Sequence, residues 1–130
     1  MKILHPAGWP RPRGYSNGIA AKGRTIFVSG MIGWDQSGKL VSEDFVGQAR
    51  QALKNIVAVL AEAQARPEHV VRMTWYVVDK KEYRRAAPKL GVAYREVFGA
   101  HYPAMTAVQV VALTENKARV EIEATAVIPD

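Results

Sequence analysis

The chain has 130 residues, no cysteine, and 18 Lys and Arg against 12 Asp and Glu, a formal net charge of +6. That length accommodates one domain, spanning residues 1–130, and excludes a second beside it, while the missing cysteines exclude disulfides, thiol nucleophiles and thiolate metal sites. Hydrophobic residues at 48% and charged residues at 23% are globular proportions, which sets intrinsic disorder aside.

Residues 1–20 hold three prolines, Trp9, Arg11 and Arg13 and no apolar run, so neither a signal peptide nor a spanning helix is expected there and the protein is read as cytoplasmic. The prolines and glycines of residues 5–18 forbid a helix and give an extended arm or loop. A short strand at Ile19–Ala21, a Lys22-Gly23 turn and a longer strand at Thr25–Ile32 read as a hairpin. After a Gly33–Gly38 loop, Ser42 is placed as an N-cap with Glu43 and Asp44 in the first turn. Phe45, Ala49, Leu53, Ile56, Leu60 and Ala63 then recur at helical spacing over about five turns, leaving Gln48, Gln51, Lys54 and Glu62 to solvent.

Val70–Val78 alternates β-branched and aromatic residues on both faces, a strand expected to be covered on both sides. Residues 80–98 repeat a helical stripe (Tyr83, Leu90, Tyr94, Phe98) that Pro88 should kink or split, and Gly99 stops it. Strands at about 104–112 and 118–128 follow; Glu121, Glu123 and Thr125 share one face of the second. The order is β-β-α-β-α-β-β, an α+β domain. Its two helices cover one face of a sheet, so the other face is expected to pack against further subunits.

The positive balance reads either as steering of an anionic partner or as ordinary solvated surface. The densest basic cluster, Lys80, Lys81, Arg84 and Arg85, lies on an expected helix surface without any RNA-binding signature, so no nucleic-acid partner is expected. His5, His69 and His101 are isolated and no pair has helical metal-site spacing, so no metal is expected. Phosphate-loop and nucleophile-elbow motifs are absent. Glu121 and Glu123 read either as general bases acting through water or as solvated carboxylates paired with Arg119. His101 and Tyr102, in the loop before a strand, either exchange protons with a ligand or simply form a turn, and Trp9 and Trp34 either wall a cleft or seal an interface.

Five segments, in order, resemble the reactive-intermediate deaminase (Rid, or YjgF-like) family: Gly14-Tyr15-Ser16-Asn17-Gly18, Val28-Ser29-Gly30-Met31-Ile32-Gly33, Gln48-Ala49-Arg50-Gln51-Ala52-Leu53-Lys54-Asn55, Tyr102-Pro103-Ala104-Met105-Thr106 and Val120-Glu121-Ile122-Glu123-Ala124-Thr125-Ala126-Val127. The resemblance implies a chorismate-mutase-like fold, a homotrimer whose sheets form a central barrel, and small-molecule ligands in three intersubunit clefts. It also implies hydrolysis of enamines and imines to a keto acid and ammonia, with no cofactor. Tyr15, Gly30 and Glu121 match positions lining the family's cleft. The family's signature arginine, which clamps the substrate carboxylate, is replaced here by Met105, a thioether that carries no charge and donates no hydrogen bond. Gly91 replaces an asparagine usually found three residues before the helical tyrosine, and the stretch from Asp79 to Tyr94 is about one helical turn longer than usual.

Glu121 and Tyr15 are thus the expected catalytic pair, orienting a water. Gly30, Met31, Trp34, His101, Tyr102, Met105, Thr106 and Ala107 are expected to contact substrate, with Arg13 as a candidate replacement cation. The leading expectation is an imine or enamine hydrolase of non-standard specificity. A non-catalytic ligand-binding trimer is the alternative, and a ribonuclease, an activity attributed to some relatives, comes third.

Overall fold

The computed structural model describes all of residues 1–130. Strands β1 (Lys2–Leu4), β2 (Gly18–Ala20) and β3 (Gly23–Met31) precede helix α1 (Phe45–Glu62). After a 3-10 turn at Pro67–His69 come strand β4 (Val70–Val77), helices α2 (Lys80–Arg85) and α3 (Ala87–Phe98), and strands β5 (Ala104–Gln109) and β6 (Val120–Pro129). The main sheet has the order β3-β6-β4-β5. β6 runs antiparallel to both of its neighbours, and β5 runs parallel to β4, reached through the α2–α3 crossover. The architecture is of the expected α+β class, and its sheet is mixed.

The helices cover one face of that sheet. Leu53, Ile56 and Leu60 of α1 are fully buried with Met73 and Val77 of β4 and Val120 and Ile122 of β6. Burial of such side chains is worth about 1.5–3 kcal/mol each before entropy is counted, so this seam dominates stability. An ion pair between Arg50 Nε and Glu96 Oε2, at 3.3 Å, links α1 to α3 on the rim. α1 ends where Gln64 adopts a positive φ of 57° and the Ala65 amide returns to the Leu60 carbonyl, a left-handed cap made without glycine. No helix is long and apolar enough to cross a membrane.

Several sequence expectations need correction. β2 does not form a hairpin with β3; it pairs with β1, and β3 pairs with β6. Lys22 and Gly23 form no turn; Gly23 is already the first residue of β3. The N-cap of α1 is Asp44, whose carboxylate accepts from the Gly47 amide, while the Ser42 hydroxyl accepts from the Asp44 amide one step earlier. Gln48 is not solvent-facing but wholly buried. Pro88 does split the second helical stretch, near the N-terminus of α3 where its missing N–H costs no helical bond. Finally, β4 is covered on one face only in the single chain: Met73, Trp75 and Val77 point to the helices, whereas Arg72 is exposed and Thr74 and Tyr76 are half-buried on the outer face. That outer face is mixed in character, with Phe27 at 79% exposure beside carboxylates and threonines.

Candidate active site

Most of the expected site residues fall into two groups on opposite faces of the sheet. The first gathers around the outward edge of β5. Met105 is level with Met73 of β4, which is fully buried, so Met105 and Ala107 point to the helix side. There they wall a cavity of about 500 Å3 together with Tyr15, Trp75, Leu90 and Tyr94. Tyr15 is carried into place by the arm. The buried Ser16 donates its hydroxyl to the Tyr102 carbonyl at 2.6 Å and its amide to the Pro103 carbonyl at 3.0 Å, so the arm docks on the end of β5. Arg13 and Tyr102 complete that side of the cavity.

The aromatic wall is ordered from behind. Tyr94 donates its hydroxyl to the His101 carbonyl at 2.6 Å and stacks on Tyr102 with ring centroids 5.5 Å apart and planes inclined by 15°. Burial, with a smaller contribution from Tyr102, pushes the Tyr94 phenol well above its ordinary range, so it stays protonated and donating. Burial likewise raises the Tyr83 phenol, which packs against Trp75 and Phe45. Trp75 is itself buried, and its indole N–H has no acceptor in the chain.

The second group lies on the outer face at β3 and β6. A bulge in β3 between Val28 and Met31 moves Gly30 out of register, and the Glu121 carboxylate occupies the space where a side chain at Gly30 would stand. A Cβ there would lie 2.0 Å from Glu121 Oε2, so any residue other than glycine would displace the carboxylate. Glu121 is level with Tyr76 across the ladder. Tyr76 donates its hydroxyl to Glu123 Oε1 at 2.6 Å, and that bond, followed by burial and the two nearby carboxylates, raises the Tyr76 phenol. Thr106 is also on this outer face, level with Thr74.

Three expected contacts lie elsewhere. Trp34 is 40% exposed in the β3–α1 loop, where its carbonyl accepts from Asn55, and it lines neither cavity edge described above. His101 lines a neighbouring hollow with His5 and donates from Nε2 to the Val70 carbonyl at 2.6 Å. Met31, half-buried at the end of β3, packs against the core. Conversely, sequence reasoning did not name Trp75, Leu90 or Arg95 as cavity residues. For Arg95 a signal existed, because it follows Gly91 by one helical turn on α3. No group of three or more His, Asp or Glu side chains is arranged to hold a metal ion.

Within one chain the two groups cannot act together. Glu121 and Met105 lie on opposite faces and on strands separated by β4, about 10 Å apart across the sheet alone.

Residues 10–128 match the protein family described as Endoribonuclease L-PSP. A human 2-iminobutanoate/2-iminopropanoate deaminase is 38% identical over 105 residues, covering 80% of this chain and 73% of that protein. A RutC family protein of Pyrococcus horikoshii is 37% identical over 127 residues, 96% of each chain. Among solved structures, the Rid family protein YyfB of Yersinia pestis, of unknown function, superposes with a TM-score of 0.84 at 32% identity, covering 98% of both chains. With matches of this extent in sequence and in fold, the chain belongs to the Rid, or YjgF-like, family, and within it carries methionine at position 105.

Proposed function

We propose that this protein is a small-molecule imine or enamine hydrolase that works in clefts between the subunits of a homotrimer, with a substrate range unlike that of relatives bearing arginine at the Met105 position. The observation that carries the reading is the Glu121 carboxylate seated over Gly30 on the open face of the sheet. A neighbouring copy would bring its own Tyr15–Met105 cavity to that face and complete what one chain separates. The deaminase relatives supply the reaction class.

In this scheme Glu121 takes a proton from a water as the water oxygen bonds to the imine carbon, and the C=N electron pair moves to nitrogen, giving a carbinolamine once nitrogen is protonated. Glu121, now the carboxylic acid, supplies that nitrogen proton, and as a carboxylate again it takes the hydroxyl proton and passes it to the leaving nitrogen. Ammonia leaves and the carbonyl forms, so one imine and one water give one ketone and one ammonia. Tyr15, held by the arm, orients the water or the imine nitrogen. General acid–base assistance of this kind contributes about 10²–10⁴-fold.

The test is hydrolysis of freshly generated 2-aminoacrylate and 2-iminopropionate by the wild type, Glu121→Gln and Met105→Arg. Glu121→Gln keeps the shape over Gly30 and is expected to lower kcat by about 10²-fold or more; unchanged kinetics removes Glu121 from the mechanism. Met105→Arg is expected to raise activity on these small acids. Met105 also favours a second reading, a ligand-binding trimer without turnover, because it removes a donor where relatives hold the substrate. Thermal stabilisation by keto acids, with no hydrolysis of any imine, would establish that reading instead.

A further inference from the structure

The cavity beside Met105 holds two guanidinium groups and no carboxylate. Arg13 comes from the arm and Arg95 from α3, and neither is paired with an acidic side chain in the chain. The rest of its wall is aliphatic and aromatic: Trp75, Tyr83, Leu90 and Met105, with the stacked Tyr94 and Tyr102. An unpaired cation at the edge of an apolar hollow is a site for an anion carrying an apolar body.

Arg95 is the better placed of the two. It stands one helical turn beyond Gly91, and its Nη1 lies 3.3 Å from where a Cβ at Gly91 would be. A Cβ at 91 would push the exposed guanidinium aside by a few tenths of an ångström; the glycine leaves it room to lie close to the helix. A helix holds its side chains more firmly than an arm turning at Gly14, whose φ is 77°. Also on the wall is the thioether of Met105, a good partner for aromatic rings, where a charged group would repel an apolar one. The volume of about 500 Å3 accommodates a ligand much larger than a three-carbon imino acid.

We infer that Arg95, seated in the gap left by Gly91, holds the substrate's carboxylate, and that the substrate is a 2-imino or 2-enamino acid whose side chain is aromatic or bulky and apolar, directed toward Met105. This assignment rests on the hydrolytic reading above for its chemistry, but the binding it describes is measurable without turnover.

Two measurements test it. The first compares hydrolysis of the imines generated in place from phenylalanine and from alanine by an amino-acid oxidase. The second is calorimetric binding of phenylpyruvate, the stable keto acid, and of its neutral amide. The wild type is expected to favour the phenylalanine-derived imine. Arg95→Gln should raise its KM, and the Kd of phenylpyruvate, by about 10–100-fold with kcat little changed. Arg95→Lys should restore part of that loss, Gly91→Asn should weaken binding by less than Arg95→Gln does, and the neutral amide should bind wild type and Arg95→Gln alike. An unaltered KM and Kd in Arg95→Gln overturns the role of Arg95, and a preference for the alanine-derived imine overturns the side-chain assignment; either leaves the hydrolytic reading standing. Binding of phenylpyruvate through Arg95 without hydrolysis of any imine sustains the cavity assignment and overturns the hydrolytic reading, and neither binding nor hydrolysis overturns both.

Discussion

Gln48 lies on the inner side of α1 with no exposure at all, and its amide bonds three backbone groups on two segments. Nε2 donates to the carbonyls of Ser42 and Lys117, both at 3.0 Å, and Oε1 accepts from the Arg119 amide at 2.7 Å. The loop entering α1 and the loop entering β6 are therefore tied together through one side chain. Gln48→Leu would fill a similar volume and leave those three groups without partners, so an unfolding free energy lower by about 2–4 kcal/mol is expected from urea titration. A loss within experimental error would mean that water reaches these groups. Gln48 also shows where sequence reading failed: residue type assigned it to solvent, although its position falls on the same face as the buried Phe45, Ala49 and Ala52. Position was legible; the buried polar network was not, because its partners lie as far as 71 residues away. Arg95 was missed for a related reason: its spacing from Gly91 was legible, but only the packed structure shows that it lines the cavity.

Among the elements, the N-terminal arm is the one whose fate was least legible. Its prolines correctly implied extended chain, but the short strand after it was matched to the wrong neighbour because pairing depends on distant residues. The splitting of α2 from α3, by contrast, follows from Pro88 alone, since a proline ring clashes with the preceding turn of a continuous helix. Docking of the arm depends on Ser16, so Ser16→Ala should free the Tyr102 carbonyl and lower stability by about 1 kcal/mol. Amide exchange at residues 14–17 should quicken and KM should rise, because Arg13 and Tyr15 move with the arm. Unchanged exchange would show that the backbone bond from Ser16 to Pro103, at 3.0 Å, holds the arm unaided.

At the level of the whole molecule, the alternation of β6 and the two helical stripes made the fold readable, whereas the separation of Glu121 from Met105 by β4 was not, because it follows from strand order. The outer face carries Phe27 and half-exposed Val108 beside Arg72 and Glu123. Phe27→Asp, at a position 79% exposed in the single chain, is therefore expected to turn the proposed trimer into monomers in sedimentation and to abolish hydrolysis together with assembly. A monomeric wild type that still hydrolyses imines would refute the intersubunit cleft. Strand order has another consequence. β6 lies between β3 and β4, and Gly23 of β3 is level with Pro129. On the ribosome, β3 and β4 therefore emerge well before the strand that joins them, and the sheet cannot close until residues 120–129 have cleared the exit tunnel. Such long-range closure makes for slow folding and leaves two sticky strand edges waiting meanwhile. The nascent chain is thus the stage at which those edges are most open to pairing with another chain.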